Sequence, residues 1–380
     1  MMIPSNTHYK WRLDIIREHV KIGEARLISC NVDFVEDAEV TRTMKAQVPI
    51  DGFELKGIRI KQSEDVIYFD GTRCFDGTWC FTSVTGSWLE VKNTFDMFSD
   101  RLRPVMVIDD TEYNFGDYMV ISAPMEDDGK QYLYNIEAYD ETMLLKQAAL
   151  TERKYYAAGS SYLTIIGSLL TDCGLSKVIE DPTDAQITID HEYAIGTTYL
   201  EIVNALLEEI GYSPIYAGQS GYLYLTQNAL KTTADYVYND DNSTLVDSIS
   251  TDTDIYSLPN VVVGFVSSPD IPTVMKYKRV NDNPESVIST VRRGYSVVEA
   301  FELDDCPDAA TLQLAVDNRF LQSTQATETA TITTMPDGNH PFGSNVSLGQ
   351  NGTNTLFREV GWSIEFGGKM THNLERKAFV

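Results

Sequence analysis

Met-Phe-Ser-Asp-Arg-Leu-Arg-Pro-Val-Met-Val-Ile-Asp-Asp-Thr-Glu-Tyr-Asn-Phe-Gly-Asp-Tyr-Met-Val-Ile-Ser, residues 97–122, and Tyr-Leu-Tyr-Asn-Ile-Glu-Ala-Tyr-Asp, residues 132–140, decide how this chain folds. Together they read as a β-meander. Val105 to Ile108 is apolar and β-branched, Asp109-Asp110 supplies a turn, and Tyr113 to Ser122 returns. Tyr132 to Tyr139 then alternates large side chains with small or polar ones, the period of a half-buried strand.

Upstream, Ala25 to Val35 and Glu39 to Ile50 carry further strand patterns, so residues 10–60 are expected to be β. Between 63 and 90 an Asp-Gly-Thr unit occurs twice, at Asp70 and Asp76. Asp-Gly is a strong turn signal, and tight turns between short strands are the expectation. A calcium loop is the alternative there, but the acidic spacing and terminal glutamate of an EF-hand are missing. Cys74 and Cys80 flank the second turn, where hairpin partners could face each other.

Downstream, Glu141 to Leu150 reads as a short helix, and a boundary falls near 150–158. The character then changes. Leu163, Ile166, Leu169, Leu170 and Cys173 keep helical spacing, and Gly174 is a natural left-handed stop. A second helix opens on a capping box, Thr198 with Glu201. It continues through Leu200, Val203, Leu206, Leu207 and Ile210 and stops at Gly211. Tyr212 to Gln227 is then a hairpin turned by Gly218 to Gly221. Asn239 to Asp254 is polar and reads as an exposed connection. Strands resume at Asn260 to Val266, near Val274 to Lys278 and at Arg293 to Phe301. Asp308 caps a helix from Ala309 to about Gln322, and the remainder (Glu328–Pro336, Ser344–Gly349, Phe357–Arg376) is β again.

The expected fold class is therefore mainly β with an α+β insert. Its three domains span 1–150, 151–240 and 241–380. A chain of 380 residues exceeds one ordinary core. Its 56 acidic and 30 basic residues leave a net charge of −26, which argues against a nucleic-acid reader. The charge favours solubility, or alternatively lines a conduit along which DNA slides without sticking. No apolar run is long enough to span a bilayer, and Met1 to Trp11 is polar rather than signal-like, so synthesis in the cytoplasm is expected.

Chemistry has little local support. The five cysteines (Cys30, Cys74, Cys80, Cys173, Cys306) include no C-x-x-C pair, and reduced structural thiols are expected. Cys173 lies on an apolar helical face, and Cys306 follows two aspartates that raise a thiol pKa. The histidines (His8, His19, His191, His340, His372) stand in separate contexts without metal-site spacing. His191, between Asp190 and Glu192, reads as part of a solvated loop. A nucleophile elbow and phosphate-binding loops are absent. No catalytic, cofactor-binding or metal residues are expected, no cofactor, and no enzymatic activity.

Three segments carry a family resemblance. Arg101, Pro104, Ile108-Asp109, Glu112-Tyr113, Gly116, Tyr118 and Ile121-Ser122, closed by Glu137 to Leu145, resemble the first domain of phage tail-hub proteins, which sit at the baseplate or tail tip. Thr197 to Ala217 with Gly221 to Leu225 is the second similar segment, and Phe357 to Arg376, with Gly361-Trp362 in its strand, is the third. They follow the family order and cover roughly residues 95–380. The resemblance implies two tail-tube-like β-barrel domains flanking the α+β domain. It implies a homotrimeric structural hub that joins a sixfold tail tube to a threefold spike or fibre and forms part of the DNA-ejection conduit. Implied partners are the tail tube or distal-tail protein, the spike or central fibre, and the tape-measure protein. The implied location is the virion. A receptor- or carbohydrate-binding tail protein and a tail-associated cell-wall hydrolase are the alternatives. The chain ends soon after the last hub-like strand, which leaves no room for a fused enzyme.

Overall fold

A computed structural model describes residues 9–55, 59–61, 88–90, 95–108, 110–127, 129, 131–228, 233–239, 244–252, 256–266, 275–323, 326–338, 340, 343–350 and 353–378. His8, Asp70, Cys74, Asp76, Cys80 and Asp109 lie outside these residues, and so do the turn and calcium-loop readings of residues 63–87.

The meander forms as its pattern requires. Arg101–Ile108 pairs antiparallel with Thr111–Asn114 around a turn in which Asp110 takes a left-handed φ of 64°. The return is not continuous, because Phe115, Gly116 and Asp117 interrupt it before Tyr118–Ser122. Tyr118–Ser122 pairs with Tyr132–Asp140, which pairs in turn with Arg42–Pro49. The single strand expected over Ala25–Val35 divides into Val20–Ala25 and Ser29–Val35. In Ser29–Val35, Cys30, Val32 and Phe34 point inward; in Arg42–Pro49, Arg42, Met44, Ala46 and Val48 do. This period-2 burial fixes the register, since a one-residue slip would put every inward side chain in water.

The last β segment shares the sheet. Thr353–Glu365 pairs along one edge with Met370–Ala378. Its other edge is divided: residues 353–358 pair with Asn345–Gln350, and residues 361–365 pair with Asn31–Val35. A bulge between Glu359 and Gly361 separates the two halves. The bulge also reverses the inward face. Phe357 and Glu359 are buried before it, Trp362 and Ile364 after it. Phe357 packs with Ala330, Ile332, Val346, Leu348 and Leu374, whereas Trp362 and Ile364 join the core of Leu13, Val32, Phe34, Met44 and Phe115. One added residue thus lets a single strand serve two cores.

Sixteen strands consequently form one sheet that links the beginning and end of the chain. Among the described residues this ladder does not close on itself, in contrast to the expected pair of closed barrels. The strand Ser29–Val35, an edge available to the first β-lobe, is engaged by the last one instead. Two further differences stand out. Thr244–Asp252, expected as an exposed connection, is a strand paired with Thr327–Thr334. Meanwhile Val261–Val266, Met275–Val280 and Val298–Leu303 leave the main sheet to form one of their own. The helix Ala309–Ser323 covers that small sheet through Leu312 and Val316. Residues 290–293 are a helical turn rather than the start of the third strand.

Between the lobes lies the α+β insert. Tyr162–Asp172 and Tyr199–Glu209 are helices that bury Ile166, Leu169, Leu170, Val203, Leu206 and Leu207 in one core. Gly174 and Gly211, with φ of 75° and 73°, follow them as left-handed stops. The Thr198–Glu201 capping box is complete: Thr198 Oγ1 accepts from the Glu201 amide at 3.2 Å, and Glu201 accepts from the Thr198 amide at 2.8 Å. The hairpin Tyr216–Ala217 with Leu223–Leu225 closes the unit.

Candidate functional site

Three features stand out: a groove across the joined sheet and two buried polar clusters. The groove, of about 1060 Å³, is lined from both β-lobes, by Asn31, Lys45, Gln47, Asn135 and Glu137 of one and Thr333, Ser363, Glu365, Lys369 and Thr371 of the other. Its two lysines face two glutamates, so this surface is charge-balanced rather than an acidic wall. Hydroxyl and amide side chains alternate in its lining with Cys30, Ala46, Pro124 and Ile136.

The first cluster centres on His191. The strand Lys154–Tyr156 pairs with His191–Tyr193, and alternation along it exposes Glu192 while burying His191. The solvated-loop reading is therefore corrected for the histidine. Its carboxylate neighbours do face outward: Glu192 accepts from Arg153 at 2.7 Å, and Asp190 accepts from Tyr155 and from the Ala158 amide. His191 Nδ1 lies 3.0 Å from the Ile189 carbonyl, and Nε2 lies 3.1 Å from Glu209 Oε1. Burial opposes a charge on the ring, but the Glu209 carboxylate outweighs it and raises His191 to about 9. Asp305, from the small sheet's unit, reaches across and accepts from the Thr188 amide at 2.7 Å, from the Thr188 hydroxyl and from Tyr162 at 3.3 Å. The cluster thus ties the α+β insert to the 260–323 unit. Burial pushes the nearby Cys306 thiol up to about 11 and also raises Cys173, so both remain protonated and unreactive at neutral pH.

The second cluster lies beneath the bulge. Glu359, His340 and His372 are 0–1 % exposed. His340 Nε2 is 2.5 Å from Glu359 Oε2, and His372 Nδ1 is 2.6 Å from Glu359 Oε1. His372 Nε2 meets the Thr334 hydroxyl at 2.8 Å. Tyr236 stacks on His340 with centroids 4.5 Å apart, and Trp362 presents an edge to it at 6.4 Å. Burial would raise the Glu359 carboxyl, but its two imidazole contacts hold it below the ordinary carboxylate range. Burial lowers His372. Separations of 19 and 13 residues conceal this grouping in the sequence; cross-strand pairing creates it, as in Trp362 opposite His372. His19 is elsewhere, in the left-handed turn between Tyr9–Arg17 and Val20–Ala25.

No family model and no curated protein matches the sequence. Solved structures do match, over nearly the whole chain. A tail protein from Neisseria meningitidis MC58 superposes with a TM-score of 0.62 at 10% identity, covering 97% of each chain. The fold is that of a phage tail protein. The 43 kDa tail protein of prophage MuSo2 from Shewanella oneidensis gives 0.57 at 11% identity, covering 96% of this chain and 98% of its own. Prophage tail protein gp18 from Listeria monocytogenes EGD-e gives 0.53 at 10% identity, with 97% and 95% covered. Such identities show shared architecture, and they extend from the first β-lobe through the insert to the last strand. No described helix is long and apolar enough to cross a membrane.

Proposed function

We propose that this chain is a structural hub of a phage tail tip or baseplate, a virion component without catalytic activity. The observation that carries the reading is the end-to-end likeness to tail proteins, covering 97% of both chains in the Neisseria case. The joined sheet supports it further. The 31–35 and 361–365 pairing joins the two β-lobes in one sheet, which suits a part that bears load between neighbours. In the proposed assembly each lobe is barrel-like, and three copies present six similar lobes in a ring. That lets a sixfold tail tube or distal-tail ring meet a threefold spike or central fibre. The tape-measure protein and the ejected DNA would pass through the ring.

A net charge of −26 opposes closure of such a ring, so salt should favour it by screening repulsion between protomers. Light scattering from low to moderate salt, with and without the neighbouring tail protein, tests the proposal. A trimer that strengthens with salt, or forms on addition of the partner, is expected. A monomer under every condition, with no ring in micrographs of the mixture, would overturn it.

A further inference from the structure

We propose that His340, Glu359 and His372 bind one buried divalent transition ion, with zinc the best chemical fit, which ties the segment carrying His340 to the bend of the strand Thr353–Glu365. His340 and Glu359 leave buried polar atoms without hydrogen bonds. Neither ring nitrogen of His340 has a hydrogen-bond partner, and neither does Glu359 Oε2, although Nε2 and Oε2 lie 2.5 Å apart in a fully buried place. Buried polar atoms are normally satisfied, so a carboxylate and an imidazole that converge here without a hydrogen bond have the makings of two ligands to one cation, the pair moving apart as the ion enters. His372 points the same way. Its Nε2 is taken up by the Thr334 hydroxyl at 2.8 Å, which leaves Nδ1 facing the carboxylate. Nδ1 lies 2.6 Å from Glu359 Oε1, so both rings converge on the one carboxylate.

A shared cation answers all of these contacts together. The three residues offer donor atoms within 4.8 Å of one another. A carboxylate using both oxygens, with one nitrogen from each imidazole, supplies four donors. Two imidazoles and a carboxylate match zinc and its first-row neighbours rather than calcium or magnesium, which prefer all-oxygen shells. Thr334 would serve as the outer partner that orients His372, as ligating histidines require. Full burial marks the role as structural, with the ion captured as the chain folds.

The other buried cluster makes a useful contrast. In His191, Glu209 and Asp305, both imidazole nitrogens are engaged, by Ile189 and Glu209, and Asp305 already accepts several N–H and O–H bonds. It is complete without an ion.

The test uses untagged full-length protein, freed of metal by chelator and then titrated with Co²⁺ or Zn²⁺ alone. One equivalent per chain is expected, with the visible absorption of four-coordinate Co²⁺ and its displacement by Zn²⁺. His340→Ala and His372→Ala should each lose this site. X-ray absorption on the zinc-loaded wild type needs no variant and should count two imidazoles in the shell, a number the His191 cluster cannot provide. Absence of binding to the wild type, unchanged binding in both variants, or a shell with fewer than two imidazoles would overturn the proposal.

Discussion

Substituting Gly361 by valine should open the seam between the two β-lobes. Gly361 stands opposite Val35, and a Cβ placed on it would meet the Phe34 carbonyl oxygen at 2.8 Å. Ordinary contact begins at 3.4 Å, so the strands must part by 3.4 − 2.8 = 0.6 Å, and the obstructing atom is backbone that cannot rotate aside. Overpacking of this kind costs about 1–3 kcal/mol. Losing one or two ladder hydrogen bonds adds about 1 kcal/mol each. The expected loss is therefore roughly 2–5 kcal/mol, a large share of a typical domain's stability. Ser363→Ala, on the same strand, provides the control. It removes only a 3.2 Å hydrogen bond to Asn31 and should cost about 1 kcal/mol or less. Urea denaturation reads the stability, and hydrogen exchange at Asn31–Val35 reads the seam itself. A Gly361→Val protein as stable as wild type, with those amides equally protected, would refute the view that this pairing holds the lobes together.

Gly211→Val should destabilise the α+β insert by roughly 1–2 kcal/mol in thermal melts. The residue has φ of 73° while its Cβ position is open apart from Leu314 at 4.0 Å, so the cost is conformational rather than steric. His191 should make stability pH-dependent. Its value rises from 6.5 to about 9 on folding, so its contribution is complete below about pH 6.5 and is lost as pH climbs through 9. Wild type should lose up to about 3 kcal/mol over that interval relative to His191→Gln, measured by urea denaturation at each pH. Parallel curves for the two proteins would remove the ion pair from the account.

What could be read in the sequence is what depends on neighbours in the chain. Thr198 and Glu201 are three residues apart, and their reciprocal bonds follow from that spacing. The glycines after the two insert helices and the meander about Asp110 follow similarly. Long-range partnership was hidden. Thr244–Asp252 is composed like a loop, yet it becomes a strand because Thr327–Thr334, about eighty residues on, offers a ladder. His191 sits between two acidic residues, which suggested solvent, but strand alternation turns it inward while they face out. His340, Glu359 and His372 come from three separate segments, so their meeting depended on a bulge that no local pattern announces. The closed barrels were expected from resemblance, and the open ladder arises from one strand pairing across the chain.

The bulge between Glu359 and Gly361 underlies both the seam of the two lobes and the buried cluster. Without the bulge's change of phase, Phe357 and Trp362, five residues apart, would face opposite sides of the strand, and one of the two cores would lose its largest side chain. With it, Phe357 completes the last lobe's core while Trp362 reaches Phe34 and Phe115 of the first. Glu359 stands at this bulge and holds its carboxylate against two imidazoles, His340 and His372. The joining of the lobes and the buried polar cluster are thus two consequences of the same local geometry. If the cluster takes an ion, the ion sits at the joint that fixes how the lobes are set against each other. On the proposed hub reading, that setting is what determines whether three copies can close into a ring of six matching lobes.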